Sequence, residues 1–507
     1  MTLPKGWTRA KLGECALERV EQREPGATAV PYIDIGSIDR DLKRVGPTEK
    51  VTRANAPTRA RQWVKAGDVL VSLTRPNLNA VAMVPPELEG AVASTGFDVL
   101  RPKGVLPEWV FNRVRSQAFV SDVCEGVQGV VYPAIRPADV RQHELPVPPA
   151  REQRRIVEAI DSYLTRLDDA VASLERVQSK LKSYRASVLK AAVEGRLVPT
   201  EASLARAENR DYEPAEVLLA RILKEHRRRW EEAELNRLRA DGKPPKDDKW
   251  KAKYEEPVAP DTRALPTLPE GWCWAGLDQL LAKPLANGKS VPDGKGVPVL
   301  RLTCIKSSVV DLTERKSGDW SDIDPQRFFV EADDFLIIRG NGSIHLVGRG
   351  GRVSAAPDPV AFPDTLIRAR VDPAVLYPPL LARWWDSPPV RRHIERRAKT
   401  TAGIYKVNQA DLGQTPVPLA PMLEQRRISD ELERVDTTAI AATATIEAGV
   451  RRCVRLRQAV LKWAFEGKLV DQDPTDEPAE RLLARIRAER SAASAKTTPG
   501  RQARGAA

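Results

Sequence analysis

Glu152-Gln153-Arg154-Arg155-Ile156 follows closely on Pro146-Val147-Pro148, and the pair returns as Pro416-Val417-Pro418 and Glu424-Gln425-Arg426-Arg427-Ile428. The sequence on either side repeats as well. Leu3-Pro4-Lys5-Gly6-Trp7 comes back as Leu268-Pro269-Glu270-Gly271-Trp272. Val188-Leu189-Lys190 and Glu194-Gly195-Arg196-Leu197-Val198 come back as Val460-Leu461-Lys462 and Glu466-Gly467-Lys468-Leu469-Val470. Glu213-Pro214-Ala215-Glu216 comes back as Glu477-Pro478-Ala479-Glu480. Motifs matched in one order make the chain two diverged copies of one unit.

Behind each Glu-Gln-Arg-Arg-Ile the sequence reads as helix. Residues 150–194 hold no glycine and no proline, and Ile160, Leu167, Leu174, Leu181 and Val188 recur every seven residues. The second copy keeps the frame with Leu432, Ala439, Ile446, Cys453 and Val460. These are coiled-coil seams. Glu152 suits the positive end of the helix dipole, and Gly195 suits a stop. Set antiparallel with Leu174 beside Ile446, Leu167 meets Cys453 and Leu181 meets Ala439; set parallel, Leu167 meets Ala439. The seam calls for pairing and leaves the direction open.

Ahead of each helix lie short apolar runs bounded by turn residues, such as Asp68-Val69-Leu70-Val71 and Asp334-Phe335-Leu336-Ile337-Ile338. These read as strands, each copy ending in a proline-rich stop. The expected fold is α+β: two mixed α/β globules, residues 1–149 and 267–420, joined by two long paired helices related by a pseudo-twofold repeat. The first helix and its continuation take residues 150–212, and the second helical region takes 421–490. Residues 213–266 read as a basic helix followed by a Lys-, Pro- and Asp-rich linker from 241 to 260. Residues 491–507 read as a disordered tail.

The chain has 507 residues, a formal net charge of +12 and 42% hydrophobic residues, too long for one core and basic enough to favour a polyanionic partner. Cys15, Cys124, Cys273, Cys304 and Cys453 stand singly, which suits free thiols in a reducing cytoplasm rather than a metal cluster. No signal peptide or membrane span is expected, so the reading is a soluble, cytoplasmic protein.

Catalytic signatures are missing. The sequence has no Walker A loop, no dinucleotide-type glycine turn and no Asn-Pro-Pro-aromatic tetrapeptide. Asp333-Asp334 reads as a strand entry, Asp168-Asp169 as a solvated helix face, and Gly348-Arg349-Gly350-Gly351 as a turn. What remains concerns binding. In copy one, Arg75, Asn77 and Asn79 follow the strand at Val69; in copy two, Arg339, Asn341, Ser343 and His345 follow the strand at Phe335. Arg pairs with guanine and Asn with adenine in the major groove, while Asn also simply makes turns. A second pair of loops holds Gln128 and Tyr132 in one copy and Thr401, Tyr405 and Lys406 in the other. These are candidate base or phosphate contacts, though the tyrosines equally suit a core. The Arg391-Arg392 and Arg396-Arg397 pairs suit phosphates or a solvated helix face.

The doubled set of a proline turn, Glu-Gln-Arg-Arg-Ile, a long helix and Leu-Lys-x-Ala-x-Glu-Gly-[Arg/Lys]-Leu-Val resembles the specificity subunit of type I restriction–modification systems over nearly the whole chain. That resemblance implies two target-recognition domains reading a bipartite site in double-stranded DNA. The helices serve as spacer and as docking surface for two methyltransferase subunits, which restriction/translocase subunits then join. Ile160, Leu167, Leu174, Leu181, Val188, Leu432, Ile446 and Val460 are the candidate docking and pairing residues. It also implies a non-catalytic chain: S-adenosylmethionine, ATP and Mg2+ belong to the partner subunits, and none is bound here. Two other classes share some of these features. A free-standing DNA-binding regulator shares the charge and the repeat. An enzyme with its own methylation or nuclease site would need the motifs that are missing. The basic stretch 221–253 occurs in one copy only.

Overall fold

A computed structural model describes residues 3–125, 133–242, 245–306, 308–321, 323–355, 358–401 and 403–497. The chain forms two compact units, one of Met1–Val177 with Thr445–Ala507 and one of Gln178–Ala444. Each long helix, Ala150–Val193 and Met422–Phe465, is 44 residues long and contributes part of its length to each unit.

In the first unit, strand Thr8–Lys11 runs antiparallel to Glu144–Val147, with Arg9 opposite Pro146. The Pro-Val-Pro stretch is therefore a strand, where the sequence suggested only a stop. Proline is tolerated because the sheet has two strands and leaves edges unpaired. A four-stranded sheet is ordered Glu49–Val51, Val30–Ile33, Val92–Ser94, Ala60–Trp63, and a three-stranded sheet is ordered Phe97–Leu100, Val69–Ser72, Val81–Met83. Helices Pro107–Val114 and Gln117–Cys124 follow; Ser116 caps the second by accepting from the Phe119 amide. Trp109 lies at the centre of the core, edge-on to Trp7 and tilted on Phe465 of the second long helix.

The second unit repeats this plan. Cys273–Gly276 pairs with Pro416–Leu419, and a six-stranded sheet holds Phe335–Ile338 between Leu366–Val371 and Gly350–Arg352. Glycine is required in the last strand, because a β-carbon on Gly350 would strike the Phe335 ring and one on Gly351 would press on the Val309 backbone. The glycine cluster is thus a close sheet contact. Asp333 and Asp334 are each held by an arginine, Arg352 at 2.6 Å and Arg370 at 2.6 Å.

The helices pair antiparallel. In the first unit Asp168 pairs with Arg457, and Leu174 lies against Gly449, so advance along one helix is retreat along the other. Leu174 sits three residues past the Ile446 register, over the one helix position without a side chain. In the second unit Arg185 bonds Asp436 at 2.6 Å, while further on Glu201 reaches back to Arg427. Ile160, Val188, Leu432, Ala439, Ile446, Cys453 and Val460 are buried, and Leu167, Leu174 and Leu181 are half-buried.

The repeated motifs meet at one node in each unit. Trp7 Nε1 donates to Glu152 at 3.0 Å, and Trp272 Nε1 donates to Glu424 at 3.0 Å. Gln153 accepts from the Leu106 amide and donates to the Pro148 carbonyl; Gln425 accepts from the Tyr377 amide and donates to Val375 and Ala420. Arg155 pairs with Asp476, and Arg427 with Glu201. Burial raises the carboxyls of Glu152 and Glu424. Burial also opposes ionisation of Glu201, but Arg427 and Arg210 outweigh it and hold that carboxyl below its usual range.

The long helices stop at Gly195 and Gly467, both left-handed, and a β-carbon at either would collide with Pro269 or Pro4 respectively. Copy one's tail therefore completes the second unit, and copy two's tail completes the first. Ala215 N donates to Gly271 and Ala479 N to Gly6.

Two further expectations need correction. The expected linker is packed around Trp250: that ring stacks on Trp230 of helix Ala215–Ala240 with ring centroids 6.1 Å apart, and Tyr254 packs on Trp230 at 5.4 Å. Aromatic contact overrides the loop-like composition. The last helix continues to Thr497, past the Ser491 boundary, through a stretch rich in alanine, the strongest helix former.

Candidate nucleic-acid interface

In the second unit, strand Phe335–Ile338 is fully buried and the chain emerges at exposed Arg339. It is then captured by main-chain bonds: Arg339 N donates to Thr365, and Val407 N donates to Arg339. Gly340–Asn341 pairs with Ile404–Lys406, which pairs in turn with Lys399–Thr401. Two stretches some sixty residues apart, both singled out from the sequence, thus form a single three-stranded ribbon.

The ribbon sorts its members. Tyr405 is half-buried and packs on the core, the second of the two readings open for it. Asn341 makes a turn, its Oδ1 accepting from the Ser343 amide at 2.9 Å. Arg339 Nη1 reaches the Asp364 carbonyl, and exposed His345 lies 3.5 Å from Glu395. Lys406 is exposed with no polar partner among the described residues, and so is Lys399, which the sequence reading missed. Thr401 belongs to the ribbon backbone.

Helix Pro388–Arg397 leads directly into the ribbon and divides its arginines. Arg391 is turned inward, bonding the Val347 carbonyl at 3.1 Å and Glu395, and burial lowers its pKa. Arg397 bonds Gln414 and pairs with Asp411. Arg392 and Arg396 are exposed and unpaired among the described residues. They are one turn apart on one helix face, where like charges repel.

The first unit builds the corresponding place differently. Thr74 bridges Ala134, Arg75 N donates to Pro133 and Ile135 N to Leu73, so the first stretch is bound to residues 133–135. Gln128 and Tyr132 lie outside the described residues. Arg75 and Asn79 are both left-handed, at φ +49° and +45°, and bracket a short turn at Pro76–Leu78. Asn79 is tied at both ends: its amide donates to the Arg115 carbonyl and its own carbonyl accepts from Lys43 at 2.6 Å. Asn77 is exposed. A cleft of about 600 Å3 opens beside this turn, lined by Lys43, Asn77, Asn79, Arg115 and Gln458 among others. Burial pushes Arg115 down to about 10 and lowers Lys43, so two desolvated cations face this cleft.

The basic stretch 221–253 behaves otherwise. Arg228 is paired with Glu225 and Glu232, Arg229 with Glu225, Arg227 with Glu231 and Glu256, Arg237 with Glu234, and Lys251 with Glu231 and Asp248. These cations are held by neighbouring carboxylates.

On the long helices several large apolar side chains stay exposed: Tyr163, Val454 and Trp463 in the first unit, Tyr184 and Ile440 in the second. Among the described residues no helix is long and apolar enough to cross a membrane.

No protein-family model matches the sequence. Individual proteins do. The type I restriction enzyme EcoKI specificity subunit of Escherichia coli (strain K12) is 25% identical over 411 residues, covering 78% of this chain and 75% of that protein. The StySPI specificity subunit of Salmonella potsdam is 24% identical over 413 residues, covering 80% and 76%. By sequence, the chain is similar to the type I specificity subunits. In fold, it matches the HsdS subunit from Thermoanaerobacter tengcongensis with a TM-score of 0.56 at 23% identity, covering 92% of this chain and 98% of that one. A chain from a structure on complex assembly and conformational transition of the type I R-M system matches with a TM-score of 0.65, also at 23% identity, covering 92% and 100%. The α+β plan of globules on long helices is the fold these specificity subunits share with it.

Proposed function

We propose that this chain is the DNA-sequence specificity subunit of a type I restriction–modification complex. It reads a bipartite target and brings methyltransferase and restriction subunits to it. The observation that carries this reading is the doubled node: two units with the same Trp–Glu–Gln frame and different surfaces at the same place. One globule reads a few base pairs, because only a few side chains reach base edges. Two unlike globules on a common frame suit two unlike half-sites, as a dimer suits a palindrome. The chain's role is to bind and position. S-adenosylmethionine, ATP and Mg2+ are assigned to the partner subunits, and the cytoplasm to the whole complex.

Arg75, Asn77, Arg339, His345, Lys399 and Lys406 are the exposed side chains offered to DNA. Asn79 and Asn341 shape the turns that present them. The exposed Tyr163, Val454 and Trp463, with Tyr184 and Ile440, are the apolar side chains the long helices offer to two methyltransferase subunits.

Co-expression with the neighbouring modification gene tests this reading. The chain should co-purify with that subunit, and host DNA should carry a methylated split site only when both are present. A chain that purified alone and left the methylation pattern unchanged would favour a free-standing regulator.

A further inference from the structure

Ile404 is a large apolar side chain left 44% exposed at the end of a ribbon otherwise edged with cations. Its surroundings follow from strand geometry. Residues two apart on a strand share a face, and so do residues directly opposite in an antiparallel pair. Lys406 is opposite Lys399 on one side and Gly340 on the other. A β-carbon on Gly340 would lie 3.3 Å from Lys406 Cγ and 3.7 Å from Ile404 Cγ2, so both side chains lie on the face Gly340 leaves bare. The outward face therefore carries Lys399, Ile404 and Lys406, while Tyr405 between the last two turns to the core. Arg392 and Arg396 are on the helix that leads into the ribbon.

No carboxylate pairs with Lys399, Lys406, Arg392 or Arg396 among the described residues, whereas the same chain pairs Arg227, Arg228, Arg229 and Arg237 with nearby glutamates. Two unpaired lysines on one face with an apolar side chain, and two unpaired arginines on the helix that leads in, suit a polyanion with an apolar group in reach. The hairpin of Lys399–Thr401 and Ile404–Lys406, which the two-residue strand Gly340–Asn341 joins at one side, is a two-stranded element of the kind the major groove admits, and the one apolar group that base pairs display there is the thymine C5-methyl.

The geometry points to Ile404 as a specificity-determining residue that contacts a thymine methyl group in the half-site read by the second unit, with Lys399 and Lys406 donating to neighbouring base edges or phosphates. This deepens, and rests on, the DNA-specificity reading. An acidic protein is the other polyanionic surface; the groove is favoured because the ribbon is narrow and the apolar side chain single.

The test uses the chain in complex with its modification subunits and a duplex bearing its mapped methylation site. Each thymine of that half-site is replaced in turn by deoxyuridine, which differs only by the missing methyl. Wild type should bind one of these duplexes about fourfold more weakly, the factor for losing one buried methyl group. Ile404→Ala should bind the thymine and uracil duplexes equally while keeping its preference in the other half-site. If Ile404→Ala discriminates as wild type does, or if the half-site holds no A·T pair, the inference is wrong and the DNA reading stands. If Ile404→Ala sheds its modification subunit instead, the ribbon end is a protein contact and the inference is again wrong. If the wild-type complex shows no preference for its mapped site, the DNA-specificity reading itself fails.

Discussion

The two units hold one frame and present two surfaces. Trp7–Glu152 and Trp272–Glu424 have the same 3.0 Å bond, the same glutamine clamp beside it and the same left-handed glycine closing on a proline. The reading surfaces share only a place. The first is a left-handed turn beside a cleft; the second is a three-stranded ribbon with outward lysines. A frame that ties backbone to backbone through buried tryptophan, glutamate and glutamine tolerates little change. A surface strand or turn tolerates a great deal, which lets each unit read a different sequence on the same support.

The largest effect should fall on the frame, and equally in both units. Trp7→Ala and Trp272→Ala each remove a buried ring and one donor to a buried carboxylate. Each should cost about 3–5 kcal/mol, read by hydrogen exchange of its own unit in the full chain. Loss confined to one of the two variants would break the equivalence.

Acid should then separate the units. His143 is buried, and burial with Arg113 nearby pushes its pKa to about 3; Asp122 at 3.3 Å is too solvated to hold the ring's proton. A folded pKa below the unfolded value of about 6.5 means stability that is complete above pH 6.5 and lost progressively as pH falls toward 3. The first unit should lose on the order of 2 kcal/mol by pH 5. In the second unit burial lowers His393 too, but its bond to the Asp411 carbonyl opposes the shift. Exchange protection should therefore fall further in the first unit; equal losses would contradict the assignment.

Salt separates the two kinds of basic surface. Arg392→Ala with Arg396→Ala should reduce the slope of log K against log[salt] by about 1.8, two phosphate contacts' worth. Arg228→Ala with Arg237→Ala in the paired stretch should leave the slope unchanged. A fall in the second pair, or none in the first, would reverse the distinction.

Much of this was legible in the sequence, and the limits are physical. The frame was legible because its residues recur in order, and each motif proves to touch another motif. The helices were legible from period and from missing glycine and proline, but their direction was not, since large residues met small ones in either sense. Leu174 over Gly449 together with Asp168 against Arg457 decides it, and neither contact carries much signal in advance. The two binding loops were found separately. Their union was not, because strands of two or three residues paired across sixty others leave no local pattern. Alternation about Tyr405 was the available signal for Ile404 and Lys406 on one face. Lysine and proline around Trp250 hid a packed segment inside an apparent linker.

The central claim is that each unit reads one half of a split site on a shared frame. Replacing residues 1–145 with the corresponding globule of another specificity subunit, then mapping methylated bases across the host genome, tests it most directly. The account predicts a new sequence in one half-site, with the other half unchanged. Change in both halves, in neither, or a single continuous site would contradict it.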